Sequence, residues 1–326
     1  MSLIGRLLKA NPSAQVSDML TGYFVIPSAK GEFFAASTKA FFGAGSYSGN
    51  TQSNIIESFE IDSTGNAVDF GDLAFVTTRA GACGSTTKGL WGGGGFFSGP
   101  QNNYIQQIVF KTQGNATDVG DLTSGRWGVG GTSNTTRGLW FGGYNGNSSN
   151  IIDYVELSSI GNAVDFGDLT VSGHETSGTL ASPTRAVCGN RDSFGAGNPT
   201  IDYVTIATTG NATDFGDTSN STSSSTGFSS NTRGIFANAT ATFELEYITI
   251  ATTGNTLDFG DLLQDAQNLM GSTSNSVRGI IGGDSANTNV IQYVTIASTG
   301  NAIDFGDLTV GRNSLTACSA TDGGLT

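Results

Sequence analysis

Histidine occurs once in this chain of 326 residues, cysteine three times and proline five times, and Lys plus Arg number only 14. Each scarcity removes a class of function. A lone imidazole, His174 in "VSGHETSG", cannot assemble a histidine-rich copper or zinc centre, and a Ser or Cys nucleophile has no other histidine to serve as its base. No Ser or Cys beside it sits in an elbow-like setting, so His174 is expected to be an exposed loop residue and the chain is expected not to be an enzyme. Cys83, Cys188 and Cys318 are odd in number and far apart, which supports neither a disulfide framework nor a zinc quartet; each is expected as a small buried side chain. Against 27 acidic residues the few bases leave a formal charge of -13 with no Lys/Arg cluster, so nucleic acid is not an expected partner. There is no apolar run of about 18 residues, and the opening "MSLIGRLLKANPSAQ" is interrupted at Arg6, so neither a membrane-spanning helix nor a secretory signal is expected. The chain reads as soluble and made in a cytoplasm.

What the chain has in excess is glycine, 48 residues, and one sentence written six times. "STGNAVDFGDL" begins at Ser63, "TQGNATDVGDL" at Thr112, "SIGNAVDFGDL" at Ser159, "TTGNATDFGDT" at Thr208, "TTGNTLDFGDL" at Thr252 and "STGNAIDFGDL" at Ser298. The copies are spaced 44 to 49 residues apart, a period that signals an array of supersecondary units. High glycine with 13% charged residues fits a turn-rich β protein, and the near end-to-end period argues for one repeat domain, residues 31–326, after a leader of residues 1–30.

The third copy shows what each unit contains. Leu139 to Phe141 is a short strand closed by Gly142 and Gly143. In "NIIDYVELSS", Ile152 and Tyr154 alternate onto one face while Val155 and Leu157 share the other, so this strand is expected to be covered on both sides by neighbouring sheets. After the Gly-Asn turn comes a short strand, Val164 to Phe166, and the following Gly-Asp breaks the alternation, which reads as a bulge or a strand exit. A weaker fourth strand occupies the link to the next copy. Four short strands per repeat make a propeller blade, so the fold class is all-β: a six-bladed β-propeller with a short helical N-terminal leader. The tail, Arg312 to Thr326, is expected to zip the last blade to the first and remove the free edges; the alternative is a seventh blade, if the tail pairs with "GYFVIPSAKG".

A di-glycine after the second strand, an aliphatic-Tyr-aliphatic third strand, a "DFGDL" segment in the place of a Trp-rich fourth strand, and then an Arg resemble the kelch, or galactose-oxidase-like, β-propeller repeat. The resemblance runs from near Ser37 to the C-terminus. It departs from that pattern where "RAVCGN" and "RGIFAN" lack the di-glycine. The Gly/Asn/Ser/Thr-rich "TGNAxDFGDL" array also resembles proteins encoded by tailed bacteriophages, notably marine ones, which implies a virion structural or receptor-facing role. On that resemblance the chain is expected in the virion after synthesis in the host cytoplasm, as a tail, fibre or capsid-decorating component. An intracellular kelch-type scaffold and a carbohydrate-active propeller enzyme are the competing readings.

Three groups of residues are candidates for function. The "DFGD" carboxylates pair Asp69 with Asp72, Asp118 with Asp121, Asp165 with Asp168, Asp214 with Asp217, Asp258 with Asp261 and Asp304 with Asp307. Two carboxylates three residues apart suit Ca²⁺ if turn carbonyls complete the shell, but recurrence in every blade marks a structural device, and no cofactor is expected. The loops after the second strands differ in every blade, and their aromatics Phe96, Phe97, Tyr144 and Phe194 are candidate contacts for a host-surface receptor, a glycan or another protein. The leader holds Leu3, Ile4, Leu7 and Leu8 at helical spacing, then Val16, Met19 and Leu20 after Asn11 and Pro12, which reads as two short amphipathic helices. Helices this short need a surface to dock on, so the leader is expected to bind another virion protein or further copies of this chain.

Overall fold

The computed structural model describes residues 38–47, 51–95, 99–175, 178–189, 191–193, 196–221, 225–238, 243–263 and 270–320. The leader residues Leu3, Ile4, Leu7, Leu8, Val16, Met19 and Leu20, and the loop aromatics Phe96, Phe97 and Phe194, lie outside them. Six four-stranded antiparallel sheets form six blades, each running from an innermost to an outermost strand. Blade 2 comprises Gly81–Gly84, Lys88–Gly92, Tyr104–Val109 and Thr117–Asp121; blade 3 comprises Gly130–Ser133, Arg137–Phe141, Ser149–Glu156 and Val164–Gly173. Blade 4 comprises Gly178–Ala181, Arg185–Gly189, Thr200–Thr205 and Thr213–Asp217; blade 5, Ser225–Ser229, Arg233–Asn238, Glu244–Thr249 and Leu257–Asp261; blade 6, Gly271–Ser274, Arg278–Gly282, Val290–Thr295 and Ile303–Asp307. A short ribbon, Arg191–Ser193 with Ala196–Asn198, decorates blade 4.

Blade 1 closes the ring. Its second to fourth strands are Lys39–Tyr47, Thr51–Glu60 and Val68–Thr77, but its innermost strand is the C-terminal Asn313–Ser319, paired with Phe41 opposite Cys318. The innermost strands then touch one another in a complete circle. The tail therefore finishes blade 1 and starts no seventh, and blade 1 gains the four strands that every other blade has.

The core lies between blades. In blade 3 Ile152 and Tyr154 pack toward blade 4, with Phe166 and Val204, while Val155 and Leu157 pack toward blade 2, with Cys83 and Leu90. Both faces of each middle strand are thereby buried, which explains why these strands lack a polar face. All three cysteines are buried and none is in a disulfide. Burial in this apolar setting pushes the Cys83 and Cys318 thiols up, so neither behaves as a reactive thiolate.

The repeated motif is the clasp between blades. In every blade the aromatic or Val of "DFGD" is an extra residue bulged out of the outermost strand, as between Ile152 paired with Gly167 and Asp153 paired with Asp165. The glycine after it has a φ between 143° and 157°. A Cβ on Gly71 would stand 2.6 Å from the Gly114 carbonyl oxygen of the next blade, so side chains are excluded for two reasons at once. The Gly-Asn turn of each blade fits into that gap. Ala116 N–H donates to Asp72 O at 2.7 Å and Asp72 N–H donates to Asn115 Oδ1 at 3.1 Å. The same two bonds recur at the other five seams, including the closing one, where Ala67 N–H meets Asp307 O and Asp307 N–H meets Asn66 Oδ1.

Candidate functional site

Antiparallel blades give the ring two unlike faces. The Gly-Asn turns and the short turns after the innermost strands lie on one face, the clasp face. The connections between second and third strands, and the links from each outermost strand to the next blade, lie on the other, the variable face. On the clasp face the solution repeats: Arg137, Arg185, Arg233 and Arg278 stack over Tyr154, Tyr203, Tyr247 and Tyr293 at 4.5 to 4.8 Å. Each arginine also reaches a carbonyl of the next blade, as Arg278 Nη1 does to Ile61 O at 2.9 Å. Blades 1 and 2 have Lys39 and Lys88 there, with Ser58 and Gln107 in the tyrosine positions, so the stack is replaced as a unit.

Toward the variable face, each third strand buries one polar side chain in the same place: Glu57, Gln106, Asp153, Asp202, Glu246 and Gln292. Each accepts the backbone N–H of the link leaving the preceding blade. Where the acceptor is a carboxylate the link residue is Thr309, Thr123, Thr170 or Ser219, whose hydroxyl supplies a second bond; where it is glutamine the link residue is Phe75 or Leu263. A carboxylate has more acceptor sites to satisfy than an amide oxygen, and the extra hydroxyl fills them. Two of these acids also hold fully buried arginines, Arg126 on Asp153 at 2.5 Å and Arg312 on Glu57. Burial pushes the Asp153 carboxyl up and the Arg126 guanidinium down, each against the attraction of the other's charge.

Where this face meets the ring axis, residues that occur once in the repeat converge. Arg79, in the left-handed backbone region at φ 54°, bonds Glu175 at 3.0 Å and stacks over Trp127 at 5.1 Å. The His174 ring lies edge-to-face with those of Trp127 and Tyr144, with centroids 5.0 and 5.8 Å apart. Its exposure is 6%, so the expectation of an exposed loop histidine is corrected: the link from blade 3 folds inward, and the aromatic rings of Trp127 and Tyr144 cover it. Periodicity carried no signal for this cluster, because none of its members repeats. Tyr144 is the one rim candidate within the described residues, and it is half-buried against Trp127 at 5.2 Å.

The axial space below is lined mostly by glycine, alanine, serine and threonine of the innermost strands, with Cys83, Leu180, Phe228, Cys318, Val129 and Met270 among the lining residues, and two cavities there hold about 40 and 30 Å³. That volume takes a few waters and no organic ligand. The twelve "DFGD" aspartates lie along the outermost strands, on the ring's outer wall, with the first of each pair exposed. Their recurring bonds run through peptide groups; one carboxylate bond to a turn amide is Gly120 N–H to Asp118 Oδ1 at 3.3 Å. Among the described residues no three His, Cys, Asp or Glu side chains converge as a cation site. Also among them, no helix is long and apolar enough to cross a membrane.

These features define a six-bladed β-propeller with one uniform and one individual face. Comparison with models of known protein families and with curated proteins finds no match.

Proposed function

We propose that this chain is a non-enzymatic, kelch-type propeller and a structural protein of a bacteriophage particle, whose variable face meets a host-surface receptor or another virion protein. The observation that carries the binding part is the division between faces. Every seam of the clasp face uses the same bonds, whereas the variable face holds the non-repeated Arg79, Trp127, Tyr144, His174 and Glu175 and loops of different sequence in each blade. A rigid ring that varies on one side alone is suited to displaying a recognition surface. The phage assignment rests on the resemblance of the "TGNAxDFGDL" array, and the apolar leader serves in this reading as the segment that docks on the particle.

Mass spectrometry of purified particles tests the assignment. The chain should be present at a fixed ratio to the major capsid protein, and particles made with residues 1–22 deleted should lack it while the truncated chain stays folded. Recovery of the chain only from infected-cell lysate, bound to a cellular protein, would replace this reading with an intracellular scaffold.

A further inference from the structure

The links from outermost strands differ at one seam in a way that the rest of the fold does not require. Between blades 1 and 2 the link reads "DLAFVTTR" where blades 2, 3 and 6 read "DLT"; Ala74 stands in the sequence position of their threonine, and Phe75, one residue further on, makes the backbone bond to the next blade that the threonine makes elsewhere. Phe75 stacks on Tyr104 of blade 2 with ring centroids 4.5 Å apart and planes 30° apart. The positions equivalent to Tyr104, each paired with the second aspartate of its blade, hold Ile55, Ile151, Thr200, Glu244 and Val290, so the aromatic pair occurs at this seam alone.

The pair is held rigidly and left uncovered. Phe75 N–H donates to the buried Gln106 Oε1 at 2.8 Å, and Tyr104 O accepts from Gly93 N–H at 3.0 Å. Phe75 nevertheless remains 41% exposed and its neighbour Val76 48% exposed. An aromatic ring that packs one face on a second ring and turns the other to solvent is a flat platform with little rotamer freedom left to lose on binding. Polar residues adjoin Tyr104 in the chain and across the sheet: half-exposed Asn102 and Asn103 precede it, and Asp121 is its cross-strand partner.

We propose that Phe75, Tyr104, Asn102, Asn103 and Asp121 form a binding site for a neutral glycan where the variable face meets the ring's outer wall. This inference rests on the proposed display function of that face and names the chemistry of its ligand. The C–H face of a pyranose carries partial positive charge and stacks on the negative face of an aromatic ring, while its hydroxyls donate to carboxylate and amide oxygens and accept from amide N–H. A neutral sugar is selected over an acidic one because the patch contributes a carboxylate and no cation, on a chain of formal charge -13.

The test is native-gel migration of the full-length protein through gels containing dextran, mannan or laminarin, with alginate as the anionic counterpart. Retardation by at least one neutral polysaccharide and by none of the alginate gels is expected. Phe75→Ala and Tyr104→Ala should weaken that retention about tenfold or more, the scale of a hot-spot contact, while Phe75→Trp retains it and thermal melts of the variants stay near wild type. No retardation by any neutral polysaccharide, retention only by alginate, or retention unchanged in Phe75→Ala overturns the site. The particle experiment is independent: a chain found in particles but blind to these polysaccharides refutes the glycan site and leaves the virion reading standing, and the converse result does the reverse.

Discussion

The two faces of this ring put the same scaffold to opposite ends. On the clasp face six seams use identical bonds, and the residues that make them are small, polar and repeated: Gly, Asn, Ala and the peptide groups of Asp. On the variable face the seams share one buried acceptor each, and around it the side chains differ from blade to blade. The lesson is that closure and individuality are separable. A ring must repeat its seam geometry six times to close, but it needs to do so on one side only.

The largest effect is expected at the buried acids of the variable face. Asp153→Ala should destabilise the protein by about 3–5 kcal/mol in chemical denaturation, because Arg126 would be left charged at 0% exposure with its partner removed. A loss under about 1 kcal/mol would mean that water reaches this seam and that the two faces are less distinct than their burial implies.

A finer contrast lies within the closing clasp. Gly306→Ala should cost about 1–3 kcal/mol, because its Cβ would overlap the Gly65 carbonyl, whereas Gly65→Ala, with open space around it, should be close to neutral. Equal effects at the two glycines would show that the clasp yields to strain. Removing the side-chain bond of the same seam, with Asn66→Ala, should cost about 1 kcal/mol, the usual net worth of a hydrogen bond.

The smallest effects concern the blades that lack the Arg–Tyr stack. Lys88→Arg combined with Gln107→Tyr transplants the stack of blades 3–6 into blade 2, where position 107 is half-buried as the tyrosines are, and should raise stability by about 0.5–1 kcal/mol, with the single changes giving less. Chelation with EDTA should leave the melting temperature unchanged; a reproducible drop would assign Ca²⁺ to the aspartate pairs and make the outer wall a cation-dependent surface.

Particular residues show how far the chain could be read in advance. The Gly-Asn spacing carried the blade count, and the two-faced apolar pattern of Ile152, Tyr154, Val155 and Leu157 carried the burial of the middle strands, because both are local in the chain. The bulge at "DFGD" was legible for the same reason. His174 was not, since its neighbours Trp127 and Tyr144 come from different links and no spacing announces them. Nor was the stack of Phe75 on Tyr104, which depends on which residue of one link turns onto the next blade.

The repeat alone determined that this chain is a propeller of thin blades, because a unit of four short strands has two apolar faces to bury and only copies of itself to bury them against. Tertiary structure alone decided between the two readings of the tail, that the Asp peptide groups receive the next blade's turn, and which non-repeated side chains gather on the variable face. Those outcomes depend on how the ends of a ring meet and on contacts between residues tens to hundreds of positions apart. Local pattern carries no information about such distances, and the closed ring supplies it.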